Sequence, residues 1–282
     1  MQDTLLSLCF DRPTITTLMD CRMPLRPTAF EDGYSFEETI YHVSHLGLEL
    51  TKRNVSLVSV DFKQILDEVD KADTILSRAE PQLQAKEKCR TIQQHLEFFT
   101  LRLHITFVLS VLCRPALSRS ADESPEKELV ASKCKQNLIE SVQAFLDMHT
   151  LSIVATRTWA FVHHGLSSAL LLGILGETNA NPRVRRLLGS LIEILSVLSM
   201  DEGDKLSKTE LSKSHLKALK ALQKIYDDTR TASHSSIASV NDGSTIQQNR
   251  GTEEVSAGRN VLVGANDDDI SRTASKPAIQ EQ

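Results

Sequence analysis

From Ser35 onward, segment after segment places apolar residues three and four apart, the spacing of one helical stripe. Phe36 to Arg53 carries Phe36, Ile40, Val43, Leu46 and Leu50 on one side. Asp61 to Glu80 repeats the pattern with Phe62, Ile65, Leu66, Val69, Ile75 and Leu76. Asp61 is of N-cap type there, and Pro81 is expected to end the run because proline disfavours helical geometry in the residue before it. A long helix is predicted from Lys86 to Cys113, with Ile92, Leu96, Phe99, Leu103 and Phe107 in register and Arg114-Pro115 as its stop. A polar loop, Ser118 to Pro125, precedes a helix from Lys127 to Met148 on Leu129, Leu138, Val142, Phe145 and Leu146.

Ile153 to Leu175 reads as one further helix, ending at Gly176 in the C′ position that favours left-handed geometry. Asn181-Pro182 has the form of an N-cap followed by an N1 proline. It opens a helix to Met200 bearing Leu187, Leu191, Ile194 and Leu198. A link at Gly203 to Leu206 leads to a last helix, Ser207 to Arg230. No segment of similar length alternates at period two. The expected fold class is all-α: a bundle-like domain over residues 1–230, then a polar tail over 231–282. That tail lacks Phe, Tyr and Trp, so it cannot bury enough apolar surface to offset its ordering entropy and is expected to be disordered.

Composition narrows the function. Of 282 residues, 40% are hydrophobic but only 5% aromatic, so the core is built from Leu, Ile, Val and Ala. The net charge of −5 argues against a protein that holds phosphate backbones over its whole surface. The cysteines at 9, 21, 89, 113 and 134 form no C-x-x-C pair, which points to reduced thiols in cytosol or nucleus. The N-terminus carries no basic and apolar leader pattern. Leu96–Cys113 and Trp159–Gly176 approach membrane-like hydrophobicity, but Glu97, Arg102 and His104 interrupt the first and His163 and His164 the second. Helices apolar on most sides fit the centre of a soluble bundle, and no membrane is expected.

Chemistry is sparse. His42 and His45 have metal-ligand spacing on a helix but no third ligand nearby. His163 and His164 point about 100° apart on a helix; one is expected to face the core, hydrogen-bonded through a ring nitrogen, and the other a groove. Asp67, Asp70 and Asp73 resemble the Asp-rich Mg²⁺ site of all-α prenyl-diphosphate enzymes, yet Glu68 and Lys71 fit a solvated face with i, i+3 pairing. Gly165-Leu166-Ser167-Ser168-Ala169 lacks the second glycine of a nucleophile elbow, and no G-K-[ST] follows Gly173 or Gly176. No catalytic residue, metal or cofactor is assigned. On the last helix, Leu211, Ala218, Leu222, Ile225 and Tyr226 oppose Lys213, Lys217, Lys220 and Lys224, a lysine face able to dock an acidic partner.

Several short segments carry a resemblance. Asp3-x-x-x-Ser7-x-x-x-Asp11-Arg12-Pro13 resembles the D-x3-S-x3-G-R-P signature of the fungal-specific transcription factor domain, the regulatory region downstream of Zn₂Cys₆ clusters. Ile15, Asp20 to Pro24 and Met23-Pro24-Leu25-Arg26-Pro27 are similar to the extended segment that follows it in the family. Leu66 to Ala79 followed by Pro81-x-Leu83 is similar to a family helix ending in a P-x-L turn. Leu101-Arg102-Leu103-His104, Phe107 and Arg114-Pro115-x-Leu117 resemble its L-x-L-H-x-x-Y … R-P-x-L helix and stop, and Cys134 and Trp159 hold places in the next helix pair. Asp11 replaces the usual glycine, Phe107 the tyrosine, and Asn137-Leu138 an Ala-Ala pair.

The resemblance implies a regulatory helical domain in the nucleus, or in the cytoplasm if the chain stands alone. Its partners would be proteins of the transcription machinery or a small effector, and a dimer is compatible with it. Met1 falls inside the family pattern, which reads as a chain truncated at its N-terminus; zinc and DNA contact are then expected only through the missing cluster. The rival readings are an all-α isoprenoid-type enzyme using Asp67 and Asp70, and a membrane-associated helical protein.

Overall fold

The computed structural model describes residues 7–8, 33–55, 60–118, 124–200 and 211–238, and these hold ten α-helices, two 3-10 turns and a single isolated bridge. The chain is all-α. In order the helices are α1 (Phe36–Val55), α2 (Phe62–Ser77), α3 (Pro81–Gln84), α4 (Ile92–Cys113), α5 (Pro125–Leu151), α6 (Val154–Arg157), α7 (Trp159–Ile174), α8 (Glu177–Ala180), α9 (Pro182–Met200) and α10 (Lys213–Ala238). The 3-10 turns are η1 (Lys86–Lys88) and η2 (Arg114–Leu117).

Local chemistry explains most helix starts. Ser35 and Glu38 form a reciprocal capping box: the Ser35 N–H donates to Glu38 Oε2 at 2.8 Å, and the Glu38 N–H to Ser35 Oγ at 3.3 Å. Asp61 caps α2 as expected, its Oδ1 accepting from Lys63 N at 2.9 Å and Gln64 N at 3.4 Å. Ser124 caps α5 with Pro125 at N1, and Asn181 caps α9 by accepting from Arg183 N at 2.9 Å. Gly176 adopts φ 76°, the left-handed end predicted for α7.

The boundaries also correct several expectations. α2 ends at Ser77, and Pro81 does not stop it but occupies the first position of α3. The ladder breaks earlier because Tyr34 bridges Ala79, with Tyr34 N donating to Arg78 O at 2.8 Å and Glu80 N to Tyr34 O at 2.9 Å. α4 starts at Ile92, not Lys86, since Thr91 Oγ1 accepts from Gln94 N at 3.2 Å and sets the cap there. Pro125 belongs to α5 rather than to the preceding loop. Ile153–Leu175 is not one helix: Thr158 is extended (φ −96°, ψ 113°) and separates α6 from α7. The last helix begins at Lys213, behind the Ser212 cap that accepts from His215 N, and its backbone runs past Arg230 to Ala238. The rest of the tail lies outside the described residues.

α4 is the axis of the fold. From Phe98 to Cys113 it is buried on almost every side, and α1, α2, α3, α5 and α7 pack around it, the pairing with α5 being the most extensive. Leu101 and Leu103 are fully enclosed, as are Leu138 and Phe145 from α5 and Leu166 and Leu172 from α7. Each such side chain contributes about 1.5–3 kcal/mol of transfer free energy. Together with η2 this helix is long and apolar enough to cross a membrane by length and composition, yet 72% of its most apolar stretch is buried within the protein. α9 and α10 close the far side of α7, with Leu188, Leu191, Leu219 and Leu222 inside.

Candidate functional site: a buried imidazole row

The residues the sequence singled out separate into three groups. Asp67, Asp70 and Asp73 are all exposed on α2, and Lys71 pairs with Glu68 at 2.8 Å as i, i+3 spacing allows. Among the described residues nothing gathers the three carboxylates over a pocket. Asp3, Arg12 and Pro13 lie outside the described residues, while Ser7 is helical and fully buried. Lys213, Lys217, Lys220 and Lys224 are exposed along α10, opposite the buried Leu219 and Leu222.

The other motif positions converge on α4. Arg102 Nη2 donates to the Gln84 carbonyl at 2.9 Å and lies over the Phe98 ring at 5.3 Å, tying the end of the Pro81-x-Leu83 turn to α4. Leu83 is fully buried beneath that clasp. Cys134 of α5 donates its thiol to Ser110 O at 3.3 Å, and burial pushes this thiol up to about 11, so it stays protonated. Arg114, at the end of α4, acts electrostatically on both Cys134 and His163.

Beyond these, a row of four imidazoles crosses three helices. His104 of α4 lies 5.1 Å from His164 of α7, ring centroid to centroid; His164 and its neighbour His163 are 6.2 Å apart; His163 lies 5.8 Å from His215 of α10. Aromatic rings fill the gaps. Phe107 stacks on His164 at 3.9 Å, Phe161 stands 5.5 Å from His104, and Trp159 stacks on both His163 (4.9 Å) and His215 (5.4 Å). The sequence identified three of these histidines separately but missed His215; its only local signal was a position in the first turn after a Ser cap.

The expectation for His163 and His164 is met in part. His164 does face the core, but neither of its ring nitrogens has a hydrogen-bond partner, and Nδ1 of His104 and Nε2 of His215 are also buried without one. Its surroundings are aromatic: Phe107 and the neighbouring imidazoles approach it by their rings. Burial holds His104 and His163 down at about 4 and His164 well below its ordinary value; His215 is also lowered by burial. His215 and Arg114 depress His163 further, and His104 and His163 do the same to His164. At neutral pH the row is therefore uncharged and behaves as part of the apolar core.

Such a row is poor at catalysis. A base held near 4, as His104 and His163 are, takes a proton weakly at neutral pH. Among the described residues no group of three or more His, Cys, Asp or Glu side chains could hold a metal ion. His42 packs on Tyr34 at 4.7 Å while His45 is exposed. Nor do the described cysteines fit a zinc cluster, since Cys89, in the extended residue after η1, donates to Gln82 O and Cys134 of α5 to Ser110 O. A cleft between α1, α2 and α4, lined by Leu46, Glu49, Leu50, Glu68, Val108 and Leu112, encloses about 20 Å³. That volume holds a water at most, far below the roughly 300 Å³ at which small-molecule sites begin. No family model matches this chain, and no curated protein or solved structure matches it either.

Proposed function

We propose that this chain is a regulatory helical domain of the fungal zinc-cluster transcription factor type, working in the nucleus by docking a protein partner and reaching DNA only through a separate zinc-cluster module. The observation that carries the reading is the Arg102 clasp. Two segments that resemble successive family motifs, Pro81-x-Leu83 and Leu101-Arg102-Leu103-His104, are joined by the bond from Arg102 to Gln84 O. Cys134 against Ser110, and Trp159 against His163, bring two more motif positions onto the same core. A protein partner is favoured over a small effector by a charged face on α10. The exposed lysines 213, 217, 220 and 224 offer the docking face, suited to an acidic peptide.

The test is a tethering assay. The chain is fused to an unrelated DNA-binding module and set against a reporter in a fungal host, beside a variant with all four lysines changed to Glu. The reading expects altered reporter output, lost in the charge-reversed variant while its helical circular dichroism is unchanged. It also expects no sequence-specific gel shift from the purified chain at about 150 mM salt, because specific binding needs a basic surface. A fusion without effect, or a specific shift by the chain alone, would overturn it.

A further inference from the structure

We propose that Ser124 is the acceptor of a proline-directed protein kinase, and that its phosphate ties the start of α5 to α2 through Lys63. The proposal is independent of the transcriptional reading, and two separate observations carry it: a motif and the backbone geometry of that motif. Of the eight prolines in the chain, only Pro125 follows a serine or threonine, and Lys127 stands three residues after the Ser124 hydroxyl. A Ser-Pro pair with a basic residue at that place is the pattern such kinases read. Proline suits a groove that offers no acceptor for an N–H, and it holds the residue before it extended. Ser124 is extended in the fold, at φ −118° and ψ 154°. Pro125 is exposed and Ser124 half-buried. Ser124 Oγ accepts from Lys127 N at 3.1 Å, a bond made by an oxygen lone pair and not by the hydroxyl proton. The Lys127 side chain is buried, so a kinase reads it when the first turn of α5 opens, and helix ends open at the lowest cost.

The phosphoryl group comes from ATP. A kinase aspartate takes the Ser124 proton, the Oγ–P bond forms as the bond from the γ-phosphorus to the bridging oxygen breaks, and ADP leaves. The product carries about 1.5–2 added negative charges and three acceptor oxygens. Glu126 and Glu128, in the same turn, repel that charge. Lys63 answers it. This second residue of α2 stands 4.0 Å from Glu126, the second residue of α5, and its side chain is 77% exposed, with room to turn toward the phosphate. A surface carboxylate pair of that length contributes little, whereas a phosphate dianion is a stronger partner for an ammonium.

The test incubates the full chain with a cyclin-dependent kinase and ATP and locates phosphate by mass spectrometry, beside a synthetic peptide of residues 118–130. Both should carry phosphate on Ser124. Ser124→Asn keeps a cap acceptor but has no hydroxyl, so it should lose this signal while remaining folded. Pro125→Ala keeps the hydroxyl and should be modified far more slowly. Phosphorylation should raise the thermal midpoint of the chain by about 2–4 °C, and the rise should vanish in Lys63→Ala. A peptide left unmodified overturns the proposal at the motif. A peptide that is modified while the folded chain is not overturns it at the structure, because the fold then withholds the site. An unchanged or lowered midpoint, or an equal rise in Lys63→Ala, overturns it as well. Should Ser124→Asn not fold, the mass map of the parent chain decides alone.

Discussion

Gly165 and Gly189 are both helical glycines that allow close packing, but their neighbours differ in how far they can yield. A Cβ at Gly165 would meet Cγ of Phe145 at 3.0 Å and its Cβ and Cδ2 at 3.2 Å. Phe145 is fully buried on α5 and has nowhere to go. Overpacking of this kind costs about 1–3 kcal/mol, more than the ~1 kcal/mol a helix gains from Ala over Gly. At Gly189 the nearest atom is the Tyr226 hydroxyl at 2.9 Å, the far end of a half-buried side chain that can swing aside. Gly165→Ala should therefore lower the urea midpoint, and Gly189→Ala should leave it unchanged or raise it. The reverse order in denaturant titrations would contradict this account of the α5–α7 contact. Sequence alone marked Gly165 only as half of an incomplete nucleophile motif; its role is set by which α5 side chain lies opposite.

At the scale of elements, caps dominate what could be read in advance. Asp61 is exposed, so its effect is local: the carboxylate accepts from two first-turn amides of α2. Asp61→Ala should cost about 1 kcal/mol, and Asp61→Asn much less, because the amide oxygen retains the acceptor. Equal losses in thermal melts of the two variants would point to charge rather than capping. The same chemistry made α2, α9 and the end of α7 legible, since Asp61, Asn181-Pro182 and Gly176 are strong local signals. Legibility failed where structure depends on distant partners. α2 stops short of Pro81 because Tyr34, more than forty residues earlier, pairs with Ala79. The Thr158 break carries no Gly or Pro, and its side chain makes no cap bond, so the apolar run across it looked continuous. The imidazole row was hidden for the same reason. Only the register of α7 on α4 and of α10 on α7 brings His104, His163, His164 and His215 into line.

For the whole molecule, one buried apolar cluster runs from Leu8 through α1, α4, α5 and α7 to Leu222 of α10. Continuity of that kind favours all-or-none unfolding at neutral pH. Acid should lower the stability of this core against urea. The unfolded chain takes a proton on His104 near 6.5, but the folded chain only near 4. The unfolded state thus holds more protons across this window, and the contribution of His104 is full above pH 6.5 and lost as pH falls toward 4. By pH 5 this ring alone, 3% exposed, should remove about 2 kcal/mol of stability. His164, without a partner for either nitrogen, pulls the same way. Urea unfolding followed by circular dichroism and by Trp159 emission should give coincident transitions at pH 7.5. At pH 5 both midpoints should move to lower urea together. A dichroism midpoint that does not move between these pH values would show that the buried imidazoles gain their protons without cost, and the electrostatic account of the core would fall with it.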